Sequence, residues 1–100
     1  MDPLRYVDLQ MEVCHQLARR NDSFLNSMPN NSRYNELRQA AAQIQEQDRR
    51  TFEQATRNIK DTLERQLSYL RQAPNPARQR AIEERLQKLE EYRQAFYGGR

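Results

Sequence analysis

Cys14 and His15 are the only cysteine and histidine in the chain, and they stand side by side. A thiol activated by an imidazole needs the two side chains to meet. Neighbours on a helix diverge by about 100° and do not face each other, so the pair reads as one stripe position beside one surface position. One histidine and one cysteine also fall short of the ligand set of an ordinary zinc site. Glu83-Glu84 and Glu90-Glu91 offer carboxylates for acid and base work. They are adjacent on a helix and compensated by Arg and Lys, which makes a solvated face. A phosphate-cradling loop needs glycines before a helix, and the only two are Gly98 and Gly99 at the end. The sequence therefore assigns no catalytic residue, no metal ligand and no cofactor, and the expectation is a chain that is not an enzyme.

Arginine is the other chemistry on offer. The 17 basic and 14 acidic residues leave a net charge of +3. No run reaches the five or more like charges of a nucleic-acid arm. The best local excess is Arg71, Arg78 and Arg80, with no acid between Glu64 and Glu83. Arg71 complements a helix C-terminus, whereas Arg78 and Arg80 begin a helix, where cations are unfavourable. Nucleic acid or another polyanion near this 71–80 turn is the alternative function the sequence raises. Arg19-Arg20 and Arg49-Arg50 are followed or flanked by Asp22 and Asp48.

Three helices must position these groups. Hydrophobic residues make up 36% and charged residues 31%, a balance that would suit disorder were the apolar residues scattered. They are not. Leu4, Val7, Met11, Cys14, Ala18, Asn21, Leu25 and Met28 follow steps of three and four, a heptad stripe with one polar position, Asn21. Tyr6, Val13, Leu17 and Phe24 form a second stripe beside it, so the apolar sector is broad. Asp2 and Pro3 are a good N-cap and first helical residue. Helix 1 is expected at about 3–27, and Pro29-Asn30-Asn31-Ser32 breaks the chain after it.

No Gly or Pro then occurs up to Gln72. Leu37, Asp48, Ile59 and Leu70 recur every eleven residues, as do Ala41, Phe52 and Leu63, a spacing that suits a nearly straight helix. Charges at i,i+4 (Glu46–Arg50, Arg49–Glu53, Glu53–Arg57, Arg57–Asp61, Lys60–Glu64, Asp61–Arg65) support one unbroken helix 2 at about 32–72. Pro74 forces a stop. Asn75 and Pro76 open helix 3 at about 76–97, striped by Ile82, Leu86, Leu89, Tyr92 and Phe96 and closed by Gly98-Gly99.

The fold expected is all-α: one domain over residues 1–100, three helices in an antiparallel hairpin arrangement, the central one long. The result is an elongated, coiled-coil-like shape, or a helical bundle completed by dimerisation. Short turns place helix 1 along residues 32–56 of helix 2 and helix 3 along 51–72, overlapping by only about one or two turns. Each half would be two helices thick and marginal alone. Either helix 2 breaks near 47–58 to close a four-helix bundle, or a partner supplies the missing helices. The unbroken charge ladder favours the partner: the chain itself, as a homodimer, or another helical protein.

The function expected is a non-catalytic protein–protein interaction module, such as a small adaptor, assembly factor, chaperone-like subunit or inhibitor. Its candidate interface residues are Leu4, Val7, Met11, Val13, Cys14, Leu17, Phe24, Leu37, Ile44, Phe52, Ile59, Leu63, Leu70, Leu86, Leu89 and Phe96. No stretch approaches the roughly 18 apolar residues that span a membrane, and the N-terminus lacks a basic region followed by an apolar run. With a single cysteine, the expectation is an intracellular, cytoplasmic chain with no membrane contact.

Overall fold

The computed structural model describes residues 2–27 and 35–98, with side chains described to Asn21 in the first stretch. Among these residues there are three α-helices and no strand: α1 (Pro3–Ser27), α2 (Asn35–Gln72) and α3 (Pro76–Tyr97). The break at Pro29–Ser32 lies outside the described residues.

The helix ends follow local chemistry. The Asp2 carboxylate accepts from the Arg5 amide at 3.2 Å, and its carbonyl accepts from Tyr6. At α3 the Asn75 side chain accepts from the Arg78 amide at 3.1 Å, with Pro76 opening the helix. Gly98 closes α3 in the left-handed region, φ 112°, where its amide donates to Gln94. That is the backbone state glycine adopts without steric cost.

α2 is continuous, so the break near 47–58 that would have closed a four-helix bundle does not form. At about 1.5 Å per residue a 38-residue helix is roughly 57 Å long, and it sets the long axis of a molecule measuring 61 × 22 × 16 Å. α1 runs antiparallel to it, with Arg20 level with Asp48 and Gln10 level with Asn58. α3 also returns antiparallel: Arg78 reaches Gln66, and Phe96 stacks on Phe52 with ring centroids 4.3 Å apart.

This register differs from the one read in the sequence. α1 lies against the middle of α2 rather than its first half, and α3 overlaps nearly its whole length with α1. The physical reason is where the large apolar residues are. Phe52, Ile59 and Leu63 are the fully buried anchors of α2, and Val7 and Cys14 those of α1. Burial of each such side chain contributes about 1.5–3 kcal/mol, so both outer helices gather on the same apolar-dense length of α2. The isolated chain thus has a core three helices thick, not two.

α1 and α3 run parallel and share a polar seam spaced by heptads. Arg78, Arg85 and Tyr92 of α3 meet Asp2, which caps α1, and Asp8 and His15 of α1. Arg85 grips Asp8 with two bonds of 2.8 and 3.0 Å. His15 stacks on Tyr92 at 4.8 Å, and Arg78 reaches Asp2 at 3.4 Å. Within α2 the i,i+4 ladder is only partly closed. Glu46–Arg50 and Arg49–Glu53 form, while Arg57 donates to Gln54 instead.

Beyond the shared core, the first part of α2, residues 35–47, projects past the end of α3 as an arm. The register of α1 brings its last residue, Ser27, only to the level of Ala41. The tip of the arm therefore extends past both outer helices.

Candidate interaction surface

The structure separates the sequence's candidate interface residues into three groups. Leu4, Val7, Met11, Cys14, Leu17, Phe52, Ile59, Leu63, Leu89 and Phe96 are buried in the chain's own core. Leu70 and Leu86 are partly buried against it. These side chains pack inside the chain itself. Val13, Leu37 and Ile44 remain exposed, at 38%, 58% and 43%. The side chain of Phe24 lies outside the described residues.

Leu37 and Ile44 both stand on the arm. Leu37 belongs to the same eleven-residue series as Ile59, which is completely buried. The apolar pattern of α2 thus continues past the point where the chain's own helices cover it. Val13, with Leu9 at 48% exposure, marks a shallower patch on the outer side of α1.

Where α3 stops, a cleft of about 490 Å³ opens between α1 and the base of the arm. Asn21, Ala42, Gln45, Arg49, Phe96 and Tyr97 line it. Two polar residues that interrupt the apolar stripes are used here. Asn21 donates its side-chain amide to the Phe96 carbonyl at 2.9 Å, satisfying one of the carbonyls a helix C-terminus leaves open. Asp48, 3% exposed, is held by Arg20, whose Nε donates at 2.8 Å while Nη2 reaches the other carboxylate oxygen. The bond to Asp48 raises the basicity of Arg20.

A second polar cluster borders the cleft. Arg49 donates to Glu46 and to Glu53, and Tyr97 donates its hydroxyl to Glu53 at 3.3 Å. Arg49 holds the Glu46 carboxyl below its usual range, and the two carboxylates raise Arg49 in turn. Burial, then the charge of Glu53, pushes the Tyr97 phenol up. In the sequence Asn21 stands out as the one polar position of its stripe and Asp48 as a member of the eleven-residue series, and neither receives a role. Their partners, a backbone carbonyl and an arginine on another helix, carry no local signal.

Cys14 is fully buried, and burial pushes its thiol above the usual value, offset in part by Thr56 beside it. The Thr56 hydroxyl has no hydrogen bond of ordinary geometry. Both residues are buried. Among the described residues no group of three or more His, Cys, Asp or Glu side chains gathers as a metal site would require. No described helix is long and apolar enough to cross a membrane.

The basic turn divides as well. Arg78 is occupied by Gln66 and Asp2, so it is not a free cation. Arg71 and Arg80 are exposed. Comparison with protein-family models, curated proteins and solved structures finds no match for the chain.

Proposed function

We propose that this chain is a non-catalytic interaction module, an adaptor, assembly factor, chaperone-like subunit or inhibitor, that docks on helical protein through its projecting arm. One observation carries the reading: Leu37 is 58% exposed although its counterpart two repeats along, Ile59, is 0% exposed. A leucine moved from water into a packed interface gains about 1.5–3 kcal/mol. Ile44 adds a second such residue on the same face of the arm. The partner is either a second copy or another helical chain.

The polyanion alternative retains Arg71 and Arg80 as its support, because Arg78 is spent within the chain. Binding of that kind falls steeply with salt, and helix packing does not.

The test is a photo-crosslinking amino acid placed at position 37 or 44, with position 69 as control. Tyr69 is 63% exposed at the opposite end of α2. In native extracts, discrete adducts from 37 and 44 and none from 69 are expected. Equal labelling from all three positions, or adducts from 69 alone, would overturn the reading.

A further inference from the structure

Polar bonds tie all three helices together near one level, where the shared core ends. Arg20 of α1 holds the buried carboxylate of Asp48 on α2, its Nε donating at 2.8 Å. The next residue, Asn21, donates to the Phe96 carbonyl of α3 at 2.9 Å. Tyr97 of α3 closes the collar by donating to Glu53 of α2 at 3.3 Å.

The packing beside this collar repeats itself. On α1, Leu4, Met11 and Ala18 are seven residues apart, as are Val7 and Cys14, and all five are buried. On α3, Arg78, Arg85 and Tyr92 keep the same spacing. On α2, Ala41, Asp48 and Ala55 do so too, and both alanines are buried. If α1 moved one heptad toward Asn35, roughly 10.5 Å, stripe would again lie on stripe. The α1 stripe would give up Leu63 and take in Ile44, and along α3 Asp2 and Asp8 would come level with Arg85 and Tyr92. The apolar residues draw α1 to this length of α2, but a seven-residue repeat does not by itself choose between seats one heptad apart.

The collar does choose. In the shifted seat Arg20 is level with Ala41, and Asp48 takes the place against α1 that Ala55 has now, 4% exposed. The α1 residues at that level are Val13 and Cys14. One turn away on α2, Ile44, Gln45, Thr51 and Phe52 carry no positive charge. Asn21 also leaves the Phe96 carbonyl. A charge satisfied in one seat and stranded in the other fixes register, as a single polar position does in a coiled coil. We propose that the collar is a register stop: Arg20, Asp48 and Asn21 hold α1 one heptad short of the tip of the arm. The stop acts whatever the arm binds.

The native thiol of Cys14 reports which seat is occupied. Thr56 stands beside it now, and Arg49, seven residues earlier, would stand there after the shift. Thr56→Cys and Arg49→Cys are made separately in the full chain and refolded in glutathione buffer, where the fraction of intramolecular disulfide gives the effective concentration of the two thiols. With Arg20 and Asp48 in place, position 56 is expected to pair with Cys14 and position 49 not to. With Arg20→Leu and Asp48→Leu together, pairing at 49 is expected to rise about tenfold relative to pairing at 56, while circular dichroism shows the helices retained. If that background does not unfold cooperatively, Arg20→Ala with Asp48→Ala replaces it, leaving alanine at 41, 48 and 55. An unchanged ratio overturns the stop, because the apolar core then holds the register alone. Failure of position 56 to pair when Arg20 and Asp48 are present overturns it too. Loss of folding in both backgrounds does the same, since the pair then holds the fold rather than choosing a seat.

Discussion

Removing Arg20 exposes how the Asp48 carboxylate is tolerated inside the protein. Asp48 is 3% exposed and takes two bonds from Arg20, whose own side chain is 53% exposed. Breaking a fully buried ion pair from one side costs about 3–5 kcal/mol, because the remaining charge is left without a partner. Here the guanidinium lies half in water, so its removal opens a path for solvent to the carboxylate. Discounting for that screening, Arg20→Ala is expected to cost about 2 kcal/mol. Asp48→Asn keeps the size and an acceptor for Arg20 but removes the buried charge, and is expected to cost about 1 kcal/mol. For a domain of this size each 1 kcal/mol moves the midpoint by about 4–8 °C. Urea unfolding followed by circular dichroism, at one fixed protein concentration, measures both. Replacing the two together, Arg20→Leu with Asp48→Leu, is expected to be neutral or stabilising. An Arg20→Ala loss no larger than that of Asp48→Asn would refute the reasoning.

Gly98→Ala is expected to destabilise by about 1 kcal/mol. A Cβ there meets nothing within 4 Å, so the cost comes from φ 112° alone, and Gly98→Asn should recover part of it in the same unfolding assay. Tyr97 has a phenol raised above its unfolded value, so its contribution is complete below about pH 10 and is lost as pH rises through the folded value. The wild type should lose urea resistance on that alkaline limb more steeply than Tyr97→Phe; identical slopes would count against the Glu53 contact. Cys14, buried and raised, should resist a thiol reagent in the native protein and react at full rate in urea, slowed by about 10³ or more when folded. Rapid native labelling would mean that the core opens far more readily than its packing implies.

Much of the helical order was legible because it is local. Pro74, Asn75 and Pro76 act on the residues beside them, and an uninterrupted run without Gly or Pro leaves α2 no reason to break. The lateral register was less legible. It is decided by which apolar residues find each other across helices, and Phe52, Ile59 and Leu63 outweigh the sparse arm in that competition. The heptad of Arg78, Arg85 and Tyr92 was visible as charges and a ring, but nothing in it names Asp2, Asp8 and His15 as partners. Asp48 illustrates the same limit. Its place in the Leu37–Ile59–Leu70 series marks it as anomalous, and only the position of Arg20 on α1 makes it a satisfied ion pair. The candidate surface was legible as an apolar pattern, yet which part of that pattern stays outside depended on the register.

A single helix that lies mostly inside a core and runs out of it at one end does not have a single stability. The amides of α2 beside Phe52, Ile59 and Leu63 are protected by everything that holds the three helices together. Those near Leu37 are protected by the turns on either side of them. Hydrogen exchange along α2 would therefore read as a gradient, slow at its centre and fast toward Asn35, with no boundary in the backbone to announce it. Whatever settles on the arm would flatten that gradient, stiffening the outer turns without touching the protein's own interior.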